Sequence, residues 1–592
     1  MNSEKYPVPV ITRRKFIGRT IAAAIATSVL PGCRIVAGSG NNTIPEPPNF
    51  PQGILLYQEA YENWARETKI RSLWTCSPAT PADVVRVANW AKENNYKVRP
   101  FGSGHGFAPT LLPRGENGEN VVLVNTADYL NAISIDATAA IKCVTAQAGA
   151  LLEDICRAAE SYDLGLLHTT APGSVTVAGG LAMNVHGAAL PALGQSLEPG
   201  HSWGTLSNLV LALTAVVWDE ALGEYVLKTF ARDNPAIGPL LTCVARVFIT
   251  QVVLQLGPNL KMRCISRTDL ALADILAAPA IQTENSFAHL IDQYGAVDVL
   301  FFPFYAKKTA WVKTWTPAPI KPTSSREVFK PYNYRVPNLT PAISDFVTST
   351  LRTLPTIVPG FNRTSAINVE AAFADTKPDT QTKDIWGSAY TTTFYVKPQT
   401  LRVTVAAWGV IVARENIQRA VSELYSYIMS LIETFQSAGA YPYTGPIELR
   451  AQGLDRAADV LVENAVEPTL SAARPHPDHP EKDVIIWFAI NNNVDQPQAA
   501  QFNSLLEAWF LSNYQSYGIV RPEWTKGYAY TADGQYGGAW TNDTILTETF
   551  PATWRDGYLS NDNWDAAVAA FNSYDPHRVF TNSFLDKLFP AS

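Results

Sequence analysis

The chain has 592 residues, of which 47% are hydrophobic and 17% charged, and its net charge is −7. One hydrophobic core stops growing at roughly 250–300 residues, so this length calls for two or three domains. A negative balance with no basic tract argues against nucleic acid as a partner.

At the N-terminus, Thr12-Arg13-Arg14-Lys15-Phe16-Ile17-Gly18 precedes an apolar run from Ile21 to Leu30. That run is shorter than the roughly 20 residues that span a bilayer. The paired arginines resemble the twin-arginine signal that exports proteins already folded, which places the protein outside the cytoplasm. Leu30-Pro31-Gly32-Cys33 is similar to a lipoprotein cleavage box but departs from it at Pro31, which leaves lipidation of Cys33 open. Residues 38–51, with four prolines, read as an exposed linker. Beyond the signal stand Cys76, Cys143, Cys156, Cys243 and Cys264. An odd number of widely spaced cysteines with no Cys-x-x-Cys is neither a disulfide framework nor a zinc site, so buried thiols are expected.

Thr80-Pro81-Ala82-Asp83 has the residues of a helix start: an N-cap, proline in the first turn and an acid near the helix N-terminus. Val84, Val87, Ala88 and Ala91 then share one face, and the helix ends near Asn94-Asn95. A strand over Tyr96–Arg99 delivers the chain to Pro100-Phe101-Gly102-Ser103-Gly104-His105-Gly106-Phe107. Three glycines in five positions let backbone approach a ligand closely, and their successive N–H groups form an anion nest. Strands are predicted at Val121–Asn125, Ile133–Asp136 and Ile141–Gln147, followed by a helix over Leu151–Tyr162. A second tight loop, Gly173-Ser174-Val175-Thr176, leads into the small-residue helix around Gly179-Gly180, about 70 residues after the first. It offers a second surface for a pyrophosphate. His168, His186 and His201 invite a metal site, but their spacing is irregular and no acid or cysteine completes a set, so no metal is expected.

The order Arg99-Pro-Phe-Gly-Ser-Gly-His105-Gly, with the second loop and the strand Val247–Leu254, resembles the FAD-binding domain of the vanillyl-alcohol-oxidase-type flavoproteins. The resemblance implies FAD bonded covalently through His105. It also implies cofactor contacts from Gly102, Ser103, Gly104, Gly106, Gly173, Ser174, Thr176, Gly179, Asn184 and Ile249.

From Leu260 onward, long apolar strands alternate with proline-rich loops: Ala296–Phe304, Thr391–Tyr395, Thr400–Trp408, Pro446–Arg450 and Val484–Ile490, with a long helix over Ile417–Gly439. This pattern fits an antiparallel sheet with helices on one face. Glu448 and Arg450, two apart on a strand, point to one face as a charge pair. Asp298, flanked by Val297 and Val299, reads either as a buried carboxyl suited to carrying a proton or as an edge-strand acid facing water.

Asp298-x-x-x-Phe-Pro-Phe, Glu448-x-Arg450, Trp524-Thr-Lys526-Gly and the ending Asp575-Pro-His-Arg-Val-Phe-Thr-Asn582 resemble the flavin-covalent (class II) cholesterol oxidases. The resemblance implies an α+β, two-domain fold: an export signal and linker start over 1–40, an FAD-binding domain over 41–258, a substrate domain over 259–560 and a C-terminal return over 561–592, with Asn582 near the cofactor. It implies oxidation of a sterol 3β-hydroxyl by O₂, release of H₂O₂, and migration of the 5,6 double bond. In that reading Glu448 and Arg450 sit over the flavin, and Lys526 joins the pocket. Asp298 stands where the family places a glutamate, so the isomerase step rests on a shorter acid. Transient contact with a membrane surface to extract sterol is a further expectation. An oxidase of sugars, alditols or other alcohols is the alternative, though the apolar runs at Val299–Phe304 and Val484–Ile490 lean toward sterol. A non-catalytic lipid-binding protein is disfavoured by His105, Glu448 and Arg450 together.

Overall fold

Thr80 and Asp83 cap one another: the Thr80 hydroxyl accepts from the Asp83 N–H at 3.2 Å, and the Asp83 carboxylate accepts from the Thr80 N–H at 3.0 Å. The helix Pro81–Asn94 therefore starts where the sequence places it, and it ends at Asn95, whose φ of 57° stops the helical ladder. The computed structural model describes residues 44–591 except 335–338 and 533–537. The twin arginine, Cys33 and the export signal lie outside the described residues. The part of the expected linker that is described, 44–51, is tied down, because the Trp74 and Trp90 indoles donate to the Ile44 and Pro48 carbonyls at 3.2 and 2.8 Å.

The capped helix buries Val84, Val87, Ala88, Trp90 and Ala91. It accompanies a four-stranded sheet of β1 (Leu55–Glu62), β2 (Lys69–Ser77), β3 (Lys97–Phe101) and β4 (Val121–Asn125) in the order β1-β2-β4-β3. β3 runs straight into the glycine loop. A second, antiparallel sheet contains β5 (Ile133–Asp136), β6 (Cys143–Gln147), β8 (Val210–Asp219), β9 (Glu224–Ala231) and β10 (Phe248–Gln255), ordered β5-β6-β10-β8-β9. β7 (Leu164–Gly165) and β11 (Gly257–Pro258) form a short separate pair. The chain end returns to this part of the molecule. The Val98 N–H donates to the Val579 carbonyl at 2.9 Å, and the buried Asp575 accepts from Arg246 and from the Tyr225 hydroxyl, each at 2.5 Å. Val579 and Phe580 share a core with Val98 and Val122.

The remaining strands form one nine-stranded sheet: β12 (Lys261–Arg267), β13 (Ala296–Phe301), β14 (Ala310–Pro317), β15 (Arg326–Glu327), β16 (Asp384–Ser388), β17 (Thr404–Val412), β18 (Ile447–Gly453), β19 (Val484–Asn492) and β20 (Ile519–Pro522). Their order is β15-β16-β12-β14-β13-β18-β19-β17-β20, with only β15–β16 parallel among the described pairs. This is an α+β molecule, as the sequence predicts. Ile417–Ser437 is the expected long helix and buries Val421, Leu424, Ile428 and Ile432.

One expected strand is absent. Residues 391–395 do not extend; Ala389–Thr393 is a short helix. The Thr391, Thr392 and Thr393 hydroxyls bond back to the carbonyls of Ser388 and Ala389 at 2.7–3.0 Å, so these threonines serve the preceding turn. The consequence is that Tyr395 leaves the helix end and enters the cavity described next.

Candidate active site

The two glycine loops face one another. His105 Nε2 lies 2.8 Å from Ser174 Oγ, and the imidazole stacks on the Trp64 indole with centroids 4.4 Å apart. Gly102 is required here: a Cβ on it would collide with the Thr176 side chain. Gly104 takes a φ of +69°, the left-handed region that a side chain disfavours. Together the loops wall one side of a cavity of about 360 Å³, to which Gly106, Gly179, Asn184 and Ile249 also contribute. Ser103 Oγ is buried there with no hydrogen-bond partner. A backbone cradle that excludes side chains, with a hydroxyl left to donate, fits the phosphates and ring of a bound dinucleotide.

The other side of the cavity belongs to the nine-stranded sheet. Leu300, Leu401, Val403, Val405 and Pro446 make it apolar, and Tyr395, Glu448, Arg450, Asn491, Glu523 and Lys526 supply the polar groups. Glu448 and Arg450 do share a face of β18, with Arg450 Nη2 2.5 Å from Glu448 Oε1. Burial pushes the Glu448 carboxyl up, but Arg450 and Lys313 outweigh it and hold the group below the usual carboxylate range. Lys526 Nζ lies 4.3 Å from the Phe107 ring centroid, and burial lowers its ammonium from the ordinary value.

Three of the expected contacts are placed differently. Asp298 is opposite Arg450 across the β13–β18 ladder, with its Oδ2 3.5 Å from Arg450 Nε. It does not line the main cavity; it faces a smaller one of about 40 Å³ behind it, and Tyr395 and Arg450 line both. The Tyr395 hydroxyl joins the two sides, lying 3.0 Å from Asp298 Oδ2 and 2.7 Å from Glu448 Oε1. Asn582 is outside the cavity: its amide caps the helix Ser583–Leu588 and donates to the Pro109 and Thr110 carbonyls at 2.9 and 3.0 Å. Asn184 lines the cavity, but its amide is committed to protein partners, Thr205 Oγ1 at 2.8 Å and the Ala472 N–H at 3.0 Å among them.

The cavity joins a dinucleotide cradle to a charged, largely apolar pocket, and comparison with known proteins assigns that combination. A family model described as cholesterol oxidase, substrate-binding, matches residues 261–590, and one described as FAD binding domain matches residues 74–198. The chain belongs to the cholesterol oxidase family. A crystal structure of cholesterol oxidase from Brevibacterium sterolicum is 40% identical, with a TM-score of 0.88 over 93% of this chain and 100% of that one. A histidine-to-alanine mutant of the same enzyme is also 40% identical, with a TM-score of 0.87 over 93% of this chain and 100% of that one. A solvent-stable cholesterol oxidase gives 40% identity and a TM-score of 0.87 over 92% and 100%. Comparison with curated proteins gives no match. The chain thus carries the family's FAD-binding domain and its substrate domain.

Several residues of this family member's site escape sequence reasoning. Tyr395 carries no motif, and its position depends on the helical turn before it. His186 Nε2 lies 3.3 Å from Glu523 Oε1, and its ring stacks on Trp487 with centroids 3.9 Å apart. Glu523 and the Lys526 three residues later both line the cavity. Lys526 is where the Trp524-Thr-Lys526-Gly motif places it, whereas Glu523, just before that motif, carries no signal of its own. His168 Nε2 and His201 Nε2 lie at backbone carbonyls, Ser202 at 3.2 Å and Pro258 at 3.0 Å. Among the described residues no three His, Cys, Asp or Glu side chains gather as a metal site.

Proposed function

We propose that this protein oxidises the 3β-hydroxyl of cholesterol or a related sterol to the ketone, with FAD attached through His105 and O₂ as the final electron acceptor, releasing H₂O₂. The observation that carries the reading is the single cavity in which His105 and the glycine cradle face the Glu448–Arg450–Tyr395 cluster across apolar walls. A sugar would demand many more hydrogen-bonding groups than Leu300, Leu401, Val403, Val405 and Pro446 supply.

FAD, when bound, supplies the acceptor for the hydride that leaves the carbinol carbon. Glu448, held ionised by Arg450, orients the sterol hydroxyl by accepting its hydrogen bond and takes up its proton as the carbonyl forms. Arg450 supplies fixed positive charge where negative charge develops. Double-bond migration then needs a proton to leave C4 and another to arrive at C6. Tyr395 accepts the C4 proton while passing its own to Asp298, and the reverse transfer delivers a proton to C6. The C4–H bond breaks, a C6–H bond forms and the double bond moves from C5=C6 to C4=C5, with no electrons gained or lost.

Export by the paired arginines and transient contact with a sterol-bearing membrane belong to the same proposal. Supporting the second, the helices Pro341–Thr353 and Val358–Ala372 cover the cavity wall: Ser344 Oγ accepts from the Arg402 N–H at 2.9 Å, and Asn362 holds the Thr444 and Gly445 carbonyls at 3.2 and 2.9 Å. On this hairpin Ile343, Phe346, Leu354 and Ile357 remain exposed, Phe346 by 71%. A covalent flavin keeps acid-precipitated protein yellow, and His105→Ala releases the colour to the supernatant. A colourless wild-type pellet rules out the covalent link, and absence of peroxide on adding cholesterol rules out the oxidase.

A further inference from the structure

The apolar middle of the nine-stranded sheet contains a lysine that does not line the main cavity. Lys313 lies opposite Asp298 across the β13–β14 ladder, and the two side chains are 0% and 2% exposed. Its Nζ is 3.0 Å from Asp298 Oδ2. The ammonium is also clamped between two rings, 3.9 Å from the Trp311 centroid and 4.1 Å from that of Tyr395. Charge attraction and the two ring faces leave it one direction to point, toward the carboxylate.

We propose that Lys313 is a positioning residue for the isomerisation step, keeping the Asp298 carboxyl ionised and turned toward Tyr395, through which that carboxyl meets the sterol cavity. The inference rests on the reading of Asp298 as the proton carrier given above. A carboxyl already protonated at neutral pH has no place for the C4 proton, and burial drives Asp298 in that direction. Lys313 is the strongest opposing charge, Glu448 adds to the upward push and Arg450 pulls down. The other titratable groups facing this region are neutral: burial pushes the Cys264 thiol up to about 12 and carries the Tyr334 and Tyr395 hydroxyls well above their ordinary values. Burial and Glu448 leave the Asp298 carboxyl above its ordinary range, and Lys313 is the largest charge opposing that rise. By packing against the Tyr395 ring it also fixes where that hydroxyl points.

The experiment compares flavin-loaded wild type, Lys313→Met, Lys313→Arg and Asp298→Asn. Difference infrared spectra record the protonated-carboxyl stretch that is lost in Asp298→Asn, titrated from about pH 5 to 9. In parallel, isomerisation of the unconjugated 5-en-3-one is followed against pH by the ultraviolet absorbance of the conjugated enone. In Lys313→Met, Asp298 should ionise at least one pH unit higher, a tenfold or greater fall in the ionised fraction on the acid side. The acid limb of isomerisation should move with it, while Lys313→Arg keeps both near wild type. A change of fold alone would not move that limb and be rescued by arginine. If Lys313→Met does not load flavin, Lys313→Gln, neutral and of similar length, takes its place. Asp298 ionising at the wild-type pH in the neutral variant overturns the role of Lys313 alone. Isomerisation at the wild-type rate by Asp298→Asn overturns the reading of Asp298 and the inference built on it.

Discussion

Arg450→Ala tests the proposed charge arrangement most severely, because Arg450 serves two carboxylates at once: Nη2 is 2.5 Å from Glu448 Oε1 and Nε is 3.5 Å from Asp298 Oδ2. Removing one preorganised electrostatic donor costs about 2.7–4 kcal/mol of transition-state stabilisation, a slowing of roughly 10²–10³-fold. The assay is anaerobic stopped-flow reduction of the flavin at saturating sterol, which reads the hydride step without O₂. Stability should fall too, since breaking a buried pair from one side costs on the order of 3–5 kcal/mol when the stranded charge has no other partner. Glu448 retains Tyr395 at 2.7 Å and Asp298 retains Lys313 at 3.0 Å, so the lower end of that range is expected. The pH dependence has a definite sign. A carboxyl held below its unfolded value stabilises the fold above the unfolded pKa and loses that contribution as pH falls through the folded one. The stability gap between wild type and Arg450→Ala should therefore narrow on acidification below the ordinary carboxylate range. Arg450→Lys keeps the charge but loses the fork and should fall between the two. Flavin reduction within threefold of wild type in a flavin-loaded Arg450→Ala protein refutes the electrostatic role.

Phe346→Asp should slow turnover on cholesterol in phospholipid vesicles several-fold while leaving turnover of detergent-dispersed cholesterol unchanged; equal rates on vesicles remove the membrane contact. Replacing Arg13 and Arg14 with lysine should strand flavin-loaded enzyme in the cytoplasm, read by fractionation, and undisturbed export would point to another route. Burial pushes the His201 imidazole down to about 4, so the unfolded chain binds a proton there that the folded one refuses. Stability should accordingly rise with pH between about 4 and about 6.5 and level off above, with His201 accounting for on the order of 3 kcal/mol of that rise. His201→Gln should flatten that part of the urea-unfolding profile, and an unaltered slope would contradict the assignment.

Local chemistry made much of this molecule readable from the chain alone. The Thr80–Asp83 cap, the paired spacing of Glu448 and Arg450 and the glycine loops each lie within a few residues, and the structure places each on the element expected. What the chain concealed depends on register. Asp298 and Lys313 each appear as one charge in an apolar strand, and only the β13–β14 pairing sets them opposite one another. Tyr395 is hidden for a different reason: the expected strand over 391–395 is instead a helical turn closed by the threonine hydroxyls, and that turn throws the tyrosine between two cavities. Asn582 carries a polar amide close in space to the glycine-loop strand, yet its two donors are taken by Pro109 and Thr110 before any ligand arrives.

The central claim is that a sterol alcohol gives its hydride to a flavin held in the cavity between His105 and the Glu448–Arg450 pair. Its most direct test is anaerobic titration of the flavin-loaded protein with cholesterol, following the visible flavin absorbance and the ketone formed. The account predicts bleaching with one equivalent of ketone per flavin, and return of the colour on admitting O₂. A flavin that stays oxidised with cholesterol but bleaches with an alditol or sugar would contradict it.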